Sequence, residues 1–177
     1  MTILKLAEYD NNPVEVSWVG LQLTDDEIDA LLKEVKQVPR DFHKKIRLKE
    51  KRGHKEFEIN IAGADQSRFR IIFRQSKFNP LDFSVILGYI IPNTNQVFRL
   101  RRYNGKSHEH TNKIEQEKFY GFHIHTATER YQIADWDEDG YAEQTDRYSE
   151  HHGALECMLK DCGFAGLSAD KAFLTGW

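Results

Sequence analysis

Cysteine, proline and long apolar runs are what this chain has least of, and each shortage excludes something. The two cysteines, Cys157 and Cys162, lie five apart on a predicted helix, where they point to different faces, so neither a disulfide framework nor a zinc ribbon is available. The longest apolar run, FSVILGYII at 83–91, is far too short to cross a bilayer, and the N-terminus has no basic segment followed by an apolar one. The expectation is a soluble, cytoplasmic protein with no membrane partner. No repeat, low-complexity tract or flexible linker divides the chain. Its 177 residues, 40% of them hydrophobic, suit one globular domain over 1–177 with its core at about 22–164.

Acidic residues are scarce in one region only. From Lys36 to Lys106 there are 17 basic residues against 6 acidic ones, net +11, whereas the remainder has 8 against 22, net −14. Such a split points to a surface for a polyanion such as RNA, or to two oppositely charged regions that neutralise each other within one fold.

What is present is an ordered change of period. TDDEIDALLKEVKQV opens with Thr24 three residues before Glu27, a capping box, and Ile28, Leu31, Leu32 and Val35 then recur at helical spacing until Pro39. After that the period becomes two. Ile46 and Leu48 alternate with basic residues, and Phe57, Ile59 and Ile61 with polar ones. Phe69, Ile71 and Phe73 stand opposite Arg68, Arg70 and Arg74; Phe98 and Leu100 stand opposite Arg99, Arg101 and Tyr103. These are strands with one wet face. FSVILGYII is apolar on both faces and reads as a central strand. Short turns such as KFNPLD and YNGK make the neighbours antiparallel. A second helix is predicted from about Ser149 to Asp161, stopped by Gly163. The fold class expected is α+β: an antiparallel sheet of about five to seven strands with two principal helices on its apolar face.

FRLRRYNG followed by His and Asn, then FHIHTATERY and a terminal helix ending in CGF, resembles a family of small uncharacterised bacterial proteins, a domain of unknown function. The resemblance covers roughly 22–164. It singles out Arg101, Asn104, Gly105, His110, Asn112, His123, His125, Glu129 and Tyr131, and implies no activity.

Four of the eight histidines fall between His108 and His125 as two His-x-His pairs. Alternation along GFHIHTA puts His123 and His125 on one side of a strand, away from Phe122 and Ile124. With His108 and His110 they could hold one divalent ion, since imidazole suits zinc, copper, nickel and iron. His108-x-His110-x4-Glu115 also resembles the first metal motif of cupins, without their second. The same imidazoles, with Arg101, could instead serve acid–base cleavage of a phosphodiester: His110, His123 and His125 move the protons and the arginine steadies the phosphate. On that reading Arg68, Arg70, Arg99, Arg101 and Tyr103 form a nucleic-acid surface. The bland alternative is a set of hydrogen-bonded structural histidines. DWDEDGYAEQTD offers a calcium loop from Asp135, Asp137, Asp139 and Asp146, or a hairpin with an Asp-Gly turn. Two functions follow: an RNA-binding module with a His/Arg cluster that supports cleavage, or a non-catalytic metal-binding or protein-interaction domain.

Overall fold

The computed structural model describes residues 21–38, Phe42 and 47–165. Helix α1 spans Asp25–Lys33 and begins as the capping box requires: Thr24 Oγ1 accepts the Glu27 N–H at 3.2 Å, and Glu27 Oε2 accepts the Thr24 N–H at 2.9 Å. It stops well before Pro39, which lies outside the described residues. The reason is Lys36, fully buried, whose ammonium donates to the carbonyls of Leu31, Leu32 and Glu34 at 2.8, 3.1 and 2.8 Å. Those are the carbonyls a helix end leaves unpaired. Lys36–Gln37 (β1) then pairs in parallel with Phe164–Ala165 (β11).

A seven-stranded antiparallel sheet carries the rest. Its strands are β2 (Lys49–Glu50), β3 (His54–Ala62), β4 (Arg68–Ser76), β5 (Phe83–Ile90), β6 (Val97–Asn104), β9 (His123–Thr126) and β10 (Tyr141–Gln144), in the order β10-β9-β6-β5-β4-β3-β2. The doubly apolar FSVILGYII is therefore the middle strand, β5. Ile46 lies outside the described residues. A separate hairpin, β7 (Glu109–Asn112) and β8 (Glu117–Tyr120), interrupts the meander between β6 and β9. Helix α2, Glu129–Ile133, links β9 to β10, where the sequence suggested a hairpin arm. Thr128 explains it, capping the helix through its side chain on Tyr131 N–H. Helix α3, His151–Asp161, ends as expected, with Gly163 at φ +71° just beyond it. No helix among the described residues is long and apolar enough to cross a membrane.

The register separates two sheet faces. One carries Phe57, Phe73, Val85, Tyr103 and Ile124 in a cross-strand row, beside Ile59, Ile71 and Leu87. With Ile28 and Leu32 of α1 and Leu155 and Met158 of α3 they form one hydrophobic cluster, against whose edge the half-buried Ile59 and Ile124 pack. The other face carries the row Glu56, Arg74, Ser84, Asn104, His123 and Gln144, and beside it the row Glu58, Ile72, Ile86, Arg102, His125 and Ala142.

One irregularity decides which arginine joins the histidines. The pairing of β5 with β6 skips Leu100, so Leu87 faces Arg101 while Gly88 faces Arg99. Beyond such a bulge the alternation reverses. Arg101 and Tyr103, expected on the polar side, lie on the helix-bearing side, and Arg102 stands beside His125 instead.

Candidate functional site

β9 places His123 and His125 side by side on the face away from α3, as alternation requires. Yet that face is not open. The β7–β8 hairpin roofs it, and the two residues are 0% and 2% exposed. Asn112 fastens the roof: its Oδ1 accepts the Ala142 N–H and its Nδ2 donates to the Ala142 carbonyl, both at 2.9 Å. The amide thus pairs with the edge strand β10 as another strand's backbone would. His110, two residues earlier on β7, is carried down onto the pair. Ring centroids lie 5.3 Å from His110 to His123, 4.7 Å from His110 to His125, and 4.9 Å between His123 and His125. One nitrogen of each ring can be chosen so that the three lie within 4.8 Å of one another. Phe119 of β8 closes the side, 5.2 Å from the His110 ring and 5.6 Å from that of His123.

Hydrogen bonds fix the tautomers. Backbone carbonyls only accept, so the Nδ1 of His123, 2.7 Å from Gly121 O, and the Nδ1 of His125, 2.8 Å from Asp139 O, each carry the proton. Arg102 Nη2, 3.1 Å from the same Nδ1 of His125, then lies alongside without donating to it. Both Nε2 atoms are left with lone pairs. His110 is set the opposite way: Asn112 Oδ1, held as an acceptor by Ala142, takes the Nε2–H of His110 at 2.9 Å, leaving the lone pair on Nδ1. Asn104, 3% exposed, sits between the first two rings, its Nδ2 3.2 Å from each Nε2, while its Oδ1 accepts the Ser84 hydroxyl at 2.7 Å.

Burial keeps these rings neutral. Desolvation pushes the His123 pKa down to about 4 and that of His125 well below the ordinary histidine range, with Arg102 adding to the effect on both. His110 is lowered too, again chiefly by burial. Three neutral imidazoles, each aimed by a hydrogen bond from its second nitrogen, are the arrangement that metal ligation uses.

His108 lies at the mouth, its ring 5.8 Å from that of His123 and its Nδ1 3.1 Å from Ser107 Oγ. Glu115, the acid of the cupin-like fragment, is turned away, accepting the Tyr131 hydroxyl at 2.7 Å and pairing with Arg130 at 2.6 Å. Arg101 is on the far side of the sheet, 3.6 Å from Asp161 Oδ2, and Tyr103 beside it is fully buried with its hydroxyl on the same carboxylate. Arg68 is exposed at the start of β4. Arg70 approaches Glu58 at 3.7 Å and donates to Asn60 Oδ1 at 2.8 Å. Arg99 is held by Asp137 and Glu138, both at 3.0 Å. The five residues do not make one surface, because the bulge sends Arg101 and Tyr103 to the other face.

The acids of 135–146 are not gathered around one point either. Asp139, fully buried, lies 3.0 Å from Arg102 and 3.3 Å from Arg99, and Asp137 faces Arg99, so arginines stand where a calcium loop needs the ion. Asp135 at φ +59° turns the chain, and Asp146 is exposed beyond β10. Among the described residues, the triad of His110, His123 and His125 is the one group of three or more His, Cys, Asp or Glu close enough to hold an ion. Asn104 and Asn112 were singled out by resemblance alone. Arg102 had no signal, since periodicity assigned its place to Arg101. Comparison with family models, with curated proteins and with solved structures finds no match to this chain.

Proposed function

We propose that this protein is a metal-binding domain, holding one divalent transition-metal ion of the zinc, nickel, copper or iron type on His110, His123 and His125. The supporting observation is the set of committed second nitrogens: Gly121 O, Asp139 O and Asn112 Oδ1 each take a ring N–H. Beside it stands the proximity of the rings, one nitrogen of each lying within 4.8 Å of the others. All-nitrogen donors favour these ions over calcium or magnesium, which take oxygen.

Acid–base cleavage of RNA uses the same rings less well. A general acid must carry a proton at working pH, and burial lowers all three rings, His123 to about 4, so that they are neutral there. The arginine named for that role also faces away from the rings. Metal ligation, by contrast, needs neutral imidazole.

The test is uptake. Protein stripped with a chelator and offered zinc is expected to retain about one ion per chain, with His123→Ala and His125→Ala binding none. Absence of bound metal in the wild type by elemental analysis would end the reading.

A further inference from the structure

Resting on that reading, we propose that Asn104 is a fourth, reversible ligand: its amide nitrogen fills the lone pairs of His123 and His125 in the metal-free protein, and its amide oxygen turns onto the ion when one binds.

The two Nε2 atoms set the problem. Their rings have committed Nδ1–H elsewhere, so each Nε2 is a buried acceptor that needs a donor. Asn104 Nδ2 lies 3.2 Å from both and carries two N–H groups, one for each ring. A cation entering between the rings would meet those same N–H groups pointing at it. Removing the clash needs only a half-turn of the amide about its last side-chain bond, which puts Oδ1 where Nδ2 was.

The surroundings accept both orientations. Ser84 Oγ, 2.7 Å from Oδ1, is a hydroxyl that donates to the oxygen in one state and accepts from the nitrogen in the other. Backbone movement is not needed and is opposed. The Tyr148 hydroxyl lies 3.0 Å from the Asn104 carbonyl and 2.9 Å from that of His123, tying both residues to one point. Gly105, just past the end of β6, sits in a space where a Cβ would come 1.9 Å from Leu81 O, so the chain is pinned immediately after Asn104. An asparagine serves both states because it owns a donor and an acceptor on one rotating group. Leucine would serve neither, and aspartate would serve the metal-bound state alone.

The experiment compares wild type, Asn104→Asp and Asn104→Leu as full chains, by zinc competition against a chromophoric chelator, cobalt absorption spectra and thermal melting with and without zinc. Asn104→Asp is expected to bind zinc about 10-fold tighter or more while its metal-free form melts lower, and Asn104→Leu to bind about 10–100-fold more weakly. Both should alter the cobalt spectrum. A residue that only supports the rings would lower the metal-free melting point without tightening zinc in the aspartate variant. Wild-type zinc affinity and an unchanged cobalt spectrum in Asn104→Asp would overturn Asn104 as a ligand while leaving the histidine site standing. If Asn104→Leu does not fold, the aspartate variant decides alone. No zinc or cobalt binding by the wild type would remove the metal reading, and this inference with it.

Discussion

Asn112 does two tasks with one amide, and they are separable by measurement. It supplies β10 with the backbone partner that an edge strand lacks, and it forces the proton of His110 onto Nε2. Asn112→Ala leaves the buried Ala142 N–H and carbonyl unpaired, a loss of about 1–3 kcal/mol per unsatisfied group. It also frees the His110 tautomer, so zinc affinity should fall by about 10–100-fold. Urea unfolding of the metal-free protein reads the first effect and chelator competition the second. A variant that loses stability but keeps wild-type zinc affinity would show that the His110 tautomer is set elsewhere. At this scale the sequence was half legible. Period-two alternation was enough to pair His123 with His125, because strand geometry projects alternate residues to one side. Which nitrogen each ring offers was not readable, since it depends on Gly121, Asp139 and Asn112, contacts made by turns, a neighbouring strand and a hairpin.

The elements carry a second lesson. The long alternating strands β3 and β4 were legible, but the short β7–β8 hairpin was not, and among the described residues β2 holds only Lys49–Glu50 of the expected KKIRLKEK strand. β6 was legible as a strand but not in its sides, because one bulged residue at Leu100 reverses everything after it. That single residue exchanges Arg101 for Arg102 beside the histidines. The ends of α1 and α3 were legible to different degrees for a similar reason. Gly163 stops α3 by its own backbone preference, whereas α1 is ended by Lys36, whose role depends on being buried against the helix from outside it. The start of α3 has a pH consequence. His151 packs 5.4 Å from Phe73 and 6.2 Å from Phe83, and burial, with His152 adding, lowers its pKa to about 4. In the unfolded chain the same ring titrates at about 6.5. Below that pH the unfolded state gains a proton that the folded state refuses, so stability is full above about 6.5 and is lost as pH falls toward 4. Metal-free wild type should lose more urea resistance between pH 7 and 5 than His151→Gln, by about 1–2 kcal/mol. Equal losses in the two proteins would show that His151 does not contribute.

Over the whole molecule the divided charge meets itself. Arg99 and Arg102 from the basic stretch are taken by Asp137, Glu138 and Asp139, and Arg101 approaches Asp161, all from the acidic remainder. Within the basic stretch, Glu56 stands among Lys51, His54 and Arg74, and Glu50 is 2.9 Å from Lys77. Pairs with an exposed member, such as Lys77 with Glu50, contribute only about 0–1 kcal/mol each to stability. Their larger effect is on partners. Phosphate binding draws its strength from releasing counterions, and an arginine already facing a carboxylate must first give that partner up. The composition alone left internal neutralisation and a polyanion surface both open, because it gave the size of the charge split but not the contacts across it. The expected outcome is that single-stranded RNA is not retained at about 150 mM salt, and that any retention at low salt falls steeply as salt is raised. Charge-reversed Asp137→Lys, Glu138→Lys protein should gain RNA binding by exposing Arg99 and adding two cations. A wild type that holds RNA at physiological salt, and loses it in Arg68→Ala, Arg70→Ala, would instead make the basic face a working surface.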